Sequence, residues 1–184
     1  MGNLIIKPKY VSGKNILLRN ANKSDAKFIL KLRTDPIKGK FLSHTSNDLN
    51  QQIQWLENYE ADNSQIYFII EDKNSERFGT VRIYDQIGDS FCWGSWILNE
   101  DRPSGFAIES VLVLYSFAFK LGFNKSHFDV RKENSSVWQF HERFGANRTN
   151  EDDLNYYYEI TSSKINESLD KYRKHLPEGI NIEW

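Results

Sequence analysis

Residues 107–121, AIESVLVLYSFAFKL, are apolar on nearly every face once wound as a helix. Such a helix has no side to offer water and must pack under a sheet. Just before it stands DSFCWGSWIL (89–98), a strand-like run, and then the polar turn NEDRPSG (99–105). Strand, short turn and buried helix together point to a mixed sheet with helices on its faces. The turn is informative in its own right. Glycine at 105 and the small Ala107 let unpaired amide N–H groups at the helix start face one anion. The helix start adds partial positive charge, so the sequence predicts a phosphate or pyrophosphate there.

The same reading extends along the chain. NILLRNA (15–21) reads as a first strand. Ser24 is placed as the N-cap of DAKFILKLRT (25–34), where Phe28, Ile29 and Leu32 recur at helical spacing. Pro36 closes that helix. A polar loop (37–46) leads to a second cap, at Asn47 or Asp48, and to the amphipathic helix LNQQIQWLENY (49–59). From Gln65 the period changes. IYFIIED, RFGTVRIYDQ and DSFCWGSWIL are three strands joined by turns at Asn74–Ser75 and Gly88–Asp89, hence antiparallel neighbours. Gly122 is expected to end the buried helix. SHFDVR (126–131) is a further strand, Asn134 caps VWQFHERF, Gly145 closes it, and LNYYYEI (154–160) is the last strand. The tail SSKINESLDKYRKHL repeats Ile165, Leu169 and Tyr172 at helical spacing. The expectation is an α/β (α+β) fold in which residues 1–160 form one domain and 161–184 a helical extension packed on it.

Composition excludes several classes. With 24 basic against 25 acidic residues, the chain lacks the basic excess that nucleic-acid binding needs. One cysteine, Cys92, allows neither an internal disulfide nor a zinc spacing, and its apolar neighbours predict a buried, inert thiol. No metal is expected. The longest apolar run, Val111–Phe119, is too short to span a bilayer. The opening MGNLIIKPKY shows neither a leader pattern nor, with Ile6, a myristoylation pattern, so a cytoplasmic location without membrane attachment is expected. The 14% aromatic share exceeds what a core alone suggests and suits a pocket for a flat or amphipathic ligand.

Two blocks resemble the GCN5-related N-acetyltransferase (GNAT) family. Arg102-Pro103-Ser104-Gly105-Phe106-Ala107 satisfies the family's Arg/Gln-x-x-Gly-x-Gly/Ala loop, and it follows a strand and opens a buried helix as that loop does. NSSVWQFHERFGA (134–146) resembles the second signature, Asn-x-x-small-x-x-x-Tyr-x-x-x-Gly-Phe. The likeness covers roughly residues 15–160. It implies a mostly antiparallel mixed sheet flanked by helices, with acetyl-CoA as co-substrate. There are departures: His141 stands where many family members have the tyrosine that protonates the leaving thiolate, Ala146 replaces a phenylalanine, and Pro103 removes one loop N–H, for which the Ser104 hydroxyl can substitute. The front segment 32–56, with Arg33 and Pro36 in an Arg-x-x-Pro turn, resembles the RimJ/RimL-like branch. Its nearest members acetylate amino sugars on nucleotides.

The resemblance also implies residue roles. The strand 94–99, with Trp96, Ile97 and Leu98, offers backbone groups to the pantetheine arm and one N–H to the thioester carbonyl. Residues 102–107 hold the pyrophosphate, and Asn134 contacts the pantetheine region or an ordered water. His141 is the candidate acid, since an imidazole of ordinary pKa has a proton to give near neutral pH. No carboxylate occupies the place where many RimL-like chains carry one, so the base is left to a water chain through Ser95 or to His44. Trp55, Tyr84, Trp93 and Trp96 are candidate aromatic walls for the acceptor, of which strand alternation makes two core residues. Arg33, Arg82 and His44 are candidates for a phosphate or carboxylate of the acceptor. The acceptor is then a small-molecule amine: first an amino sugar or sugar nucleotide, next a protein N-terminus or other small amine. A non-catalytic acyl-CoA-binding module is the reading of another class. The tail could lid the site, pair two subunits as a homodimer, or cover the sheet.

Overall fold

The computed structural model describes residues 5–184. Met1–Leu4 lie outside the described residues, and with them part of the opening on which the leader and myristoylation expectations rest. The chain forms β1 (Tyr10–Ser12), β2 (Ile16–Asn20), α1 (Ala26–Arg33), α2 (Leu49–Ala61), β3 (Ile66–Asp72), β4 (Arg77–Ile87) and β5 (Ser90–Leu98). It continues as α3 (Phe106–Lys120), β6 (Lys125–Arg131), α4 (Ser135–Arg143), β7 (Asn147–Glu151), β8 (Asn155–Thr161), α5 (Ser162–Lys171) and β9 (Asn181–Glu183). Among the described residues the strands form a nine-stranded sheet in the order β7-β8-β6-β5-β4-β3-β2-β1-β9. Of the pairings, β5 with β6 is parallel, with α3 as its crossover; the others are antiparallel. The mixed, mostly antiparallel expectation is borne out.

Local chemistry sets the boundaries. Asn22, not Ser24, caps the entry to α1: its side chain accepts from the Ser24 amide, and Asp25 answers from the Asn22 amide in a capping box around a 3-10 turn. Asp25 is buried at this bend between Arg19 and Arg77. At the second cap Asp48 accepts from the amides of Asn50 and Gln51 at 2.8 and 3.3 Å. Ser75 and Gly88 take the positive φ that the two hairpin turns require. Asn134 occupies the N-cap position of α4, yet its side chain makes no cap bond.

Each face of the sheet carries its own core. On one, α3 buries Val111 to Tyr115, Phe117 and Ala118 against β2–β6, with Phe68 and Phe117 edge to face at 5.6 Å. On the other, α1 and α2 bury Ile29, Leu56 and Tyr59 against Tyr67 and Ile69 of β3. The expected tail helix forms as α5. Its fully buried Ile165 contributes about 1.5–3 kcal/mol of transfer free energy. Beyond it, β9 pairs with β1 in the register Tyr10↔Glu183.

Candidate active site

The sheet opens where its pairing changes direction. β5 and β6 are in register from Ser90↔Lys125 through Cys92↔His127, and there the ladder stops. Trp93 to Leu98 therefore diverge from Phe128 to Arg131 and leave a wedge between the strands. A bulge lies at this wedge: β4 and β5 pair at Thr80↔Ile97 and next at Arg82↔Gly94, so Val81 faces both Ser95 and Trp96. Ser95 takes φ +48°, its carbonyl accepts from Thr80 Oγ1 at 2.7 Å, and its hydroxyl accepts from Arg33 Nη1 at 3.1 Å. A bulge at a strand edge frees main-chain groups that a regular ladder would consume.

A continuous track of cavities runs through the wedge. Its first part, about 400 Å³, is lined by Arg102, Pro103, Ser104, Gly105, Arg143 and Tyr172 among others. The second, about 360 Å³, lies between Trp96, Ile97 and Leu98 on β5 and Asn134 and Val137 of α4. The third, also about 360 Å³, holds Tyr84, Trp93, Ser95, Asp129, His141 and Asn155. Residues shared between neighbours join the parts: Arg102, Ala107 and Phe140 first, then Trp96, Asn134 and Val137.

At the far end the 102–107 turn has the predicted glycine-led form. Gly105 adopts φ +88° at the start of α3, and a Cβ there would stand 3.0 Å from His175 Nδ1. The conformation favours glycine, and a side chain there would also push the His175 ring aside. Within the 102–107 stretch the Phe106 amide donates to the Pro103 carbonyl at 3.3 Å and closes the turn, so it is not free for an anion. The next amides of the helix, Ala107 and Ile108, have no intrahelical acceptor and line the cavity with Arg102 and Arg143. Arg102 also donates to the Asn99 carbonyl at 2.9 Å, which ties the loop to the end of β5. This cradle fits a diphosphate.

Aromatic rings wall the track. Tyr172 stacks on Phe144 (4.9 Å), Phe144 on Phe140 (4.7 Å), and Phe140 meets Trp96 at 5.0 Å. Strand alternation, reset by the bulge at Ser95 and Trp96, and the packing of α2 resolve the four candidate walls. Trp93 and Trp96 lie on the α3 face, where their indoles donate to Tyr115 Oη and Ser110 Oγ at 3.2 Å. Tyr84 and Trp55 lie on the α1–α2 face. Gly94 makes room for Tyr84, whose hydroxyl is 2.7 Å from where a Cβ at 94 would stand. Burial raises the Tyr84 phenol, so it stays protonated at neutral pH. Cys92 is buried as expected, and burial pushes its thiol up to about 11.

His141 sits deep in the third cavity among Phe128 (4.3 Å), Trp93 (5.0 Å), Phe140 (5.9 Å) and Trp96 (6.1 Å). The expectation of an imidazole with ordinary pKa is corrected by this cage. Burial lowers it to about 3, so at pH 7 the ring is neutral and carries one N–H.

Arg33 is committed within the protein. Its Nε donates to Thr45 Oγ1 (2.6 Å), Nη1 to Ser95 and Nη2 to Ser43, so it fastens the 43–45 loop to the bulge. His44 lies in a fourth cavity, on the α1–α2 side, with Arg82 and Trp55. Sequence reasoning missed Asp129, Asn155 and Tyr172. Asp129 lies in the third cavity on the β6 face shared with His127, which pairs across to Cys92. Partial burial raises its carboxyl above the ordinary range against the opposing pull of Arg131. A lone acid between Phe128 and Val130, on the strand after the buried helix, was its only trace in the sequence. Among the described residues no group of three or more His, Cys, Asp or Glu is placed to hold a metal. No helix there is long and apolar enough to cross a membrane.

Comparison with known proteins now bears on this geometry. The acetyltransferase (GNAT) domain model matches residues 15–147. Apo FdhC, described as a nucleotide-linked sugar GNAT, superposes with TM-score 0.78 at 38% identity, over 95% of this chain and 99% of that one. Spermidine N-acetyltransferase from Vibrio cholerae, in complex with CoA and spermine, gives TM-score 0.73 at 19% identity, over 82% and 97%. A probable GNAT acetyltransferase from Chromobacterium violaceum ATCC 12472 gives 0.76 at 15%, over 88% and 90%; both of these share the fold. Among curated proteins none matches. Splayed strands, glycine-led helix and domain match agree: this chain belongs to the GNAT acetyltransferase family.

Proposed function

We propose that the protein transfers an acetyl group from acetyl-CoA to the primary amine of an amino sugar, most suitably one linked to a nucleotide. The observation that carries this reading is the track through the β5–β6 wedge. It has a diphosphate cradle at one end and a polar cleft at the other, open on the α1–α2 face. Likeness to a nucleotide-linked sugar GNAT across nearly the whole chain supports the acceptor class. The cleft's charges support it too. Arg82 and Arg131 accompany Asp129, a lining that opposes a polycation such as spermine.

Acetyl-CoA, when bound, supplies an acetyl group activated as a thioester. The residues of this chain do the rest. Ala107, Ile108, Arg102 and Arg143 hold the diphosphate, with Pro103 and Ser104 shaping the turn. Trp96, Ile97, Leu98 and Asn134 line the pantetheine path, and the Ser95 bulge presents main-chain polarity to the thioester carbonyl. Asp129, with its raised pKa, accepts the proton the amine loses as its nitrogen bonds to the acetyl carbon and the carbon–sulfur bond breaks. The neutral His141 N–H hydrogen-bonds the departing sulfur, and Tyr84 Oη donates into the same space. The test is a thiol-release screen with acetyl-CoA over nucleotide-linked amino sugars, free amino sugars, N-terminal peptides and polyamines. Turnover led by the amino sugars is expected; turnover led by peptides or polyamines overturns the acceptor. Acetyl-CoA binding without turnover on any amine overturns the enzyme.

A further inference from the structure

We infer that the fourth cavity, on the α1–α2 side of Arg82, seats the nucleoside diphosphate of the acceptor; this rests on the nucleotide-linked reading above. Strand register sets the arrangement. Tyr67 of β3 pairs with Arg82 of β4, and Arg82 with Gly94 of β5, so the Tyr67 and Arg82 side chains share one face next to the bulge. The Arg82 guanidinium carbon lies 4.6 Å from the Tyr84 ring centre and 5.5 Å from that of Trp55. Among the described residues it has no carboxylate partner. Its Nε is buried without a hydrogen-bond acceptor, and so is the hydroxyl of Tyr67, a residue 2% exposed.

Two buried donors without an acceptor, one of them on a half-buried cation, make an uncommon combination. Unmade hydrogen bonds at buried donors are costly, and ring faces attract a cation without neutralising it. The other arginines of this face are satisfied. Arg33 donates to Thr45, Ser95 and Ser43, and Arg19 pairs with Asp25 and Glu71. Arg131 stands beside Asp129 in the third cavity, which leaves Arg82 as the arginine of the fourth cavity free to receive an anion from outside. A group with several acceptor oxygens and negative charge, as in a diphosphate, completes it.

Position and size fit a two-part ligand. The cavity, about 260 Å³, shares Ser43, Arg82 and Ser95 with the third cavity of the track, so one molecule can lie across Arg82 with an end in each. An amine placed at Asp129 leaves the phosphates over Arg82. Beyond them the lining turns neutral and hydrogen-bonding, with Gln51 and Gln52 beside the Trp55 indole. That lining suits a nucleobase.

The test measures binding of UDP, dTDP and inorganic pyrophosphate by calorimetry, together with inhibition kinetics. Nucleoside diphosphates are expected to compete with the acceptor and not with acetyl-CoA, and to bind more tightly than pyrophosphate. Arg82→Met is expected to weaken them by about ten- to hundredfold, and Tyr67→Phe by less. Arg82→Lys, which keeps the charge, should restore part of the affinity if the folded state is intact by thermal melting. Equal binding by Arg82→Met, or competition with acetyl-CoA, overturns the inference. Equal kcat/KM on free and nucleotide-linked amino sugars overturns it while leaving the amino-sugar reading in place. Arg82-dependent binding of nucleoside diphosphate with no turnover of any amino sugar keeps the site and removes that reading.

Discussion

The two ends of the track are built from different materials. The donor end is main chain and ring: a glycine-led helix start, a bulged strand edge, and the stack Tyr172–Phe144–Phe140–Trp96. The acceptor end is side chain: Arg82, Tyr84, Asp129 and a loop held by Arg33. Backbone geometry tolerates many sequences provided a few positions keep their conformation. Side-chain geometry depends on each residue and on what fastens it. One end therefore rests on a few backbone conformations, and the other on each side chain and its fastening.

Substitutions at each end can break or sharpen that contrast. Asp129→Asn carries the largest expected effect, lowering kcat/KM by about 10²–10⁴ as general-base catalysis is lost. In the wild type the acid limb of the rate profile is expected to follow ionisation of this carboxyl, whose pKa is raised, so activity should climb with pH through a range above the ordinary carboxylate value. The variant should lose that limb while KM for acetyl-CoA holds. A limb that persists removes Asp129 from the chemistry.

Next in size is Gly105→Val, at the donor end. It forces a branched residue into φ +88° and against His175, so KM for acetyl-CoA should rise by roughly a hundredfold. Acceptor KM should stay put if the ends are independent; a matching rise would show that they are coupled.

His141 tests burial instead of rate. Its folded pKa of about 3 lies below the usual histidine value near 6.5, so the unfolded chain takes up the proton first. Stability from this group is complete above about pH 6.5 and falls as pH drops toward 3. At pH 5 the loss is about 2 kcal/mol. Denaturant melts of wild type and His141→Phe between pH 7 and 5 should diverge by that amount, the wild type losing more. Parallel curves would mean that the imidazole is solvated.

The smallest expected effect is Arg33→Met. It frees the 43–45 loop from Ser95 and should cut acceptor kcat/KM by roughly tenfold through misplacement, with a Tm change of a few degrees at most. An unchanged acceptor KM and kcat would show that the loop holds itself.

The same contrast explains what the sequence could reveal. The donor loop was legible because glycine, a following small residue and an all-apolar helix carry backbone constraints in their letters. Three strands were not. β7 is exposed at every residue and shows no alternation, while β1 and β9 are three residues each and exist through pairing with remote partners. Asn22 was passed over as a cap because Ser24 stands two residues on; only the capping box with Asp25 distinguishes them. At the acceptor end, the letters of Arg33 and Arg82 gave equal promise. One is spent on the protein and the other is not, a difference set by loop contacts that no local pattern encodes. His141 was found by spacing, but its neutrality comes from four rings brought in from β5, β6 and α4.

The indoles offer an optical consequence. Trp96 borders the pantetheine path while Trp55 flanks Arg82 on the opposite face, so each end of the track has its own intrinsic fluorophore. Variants that keep only Trp96 or only Trp55 of the five tryptophans would each report one place, and the order in which they respond on mixing would show which ligand enters first.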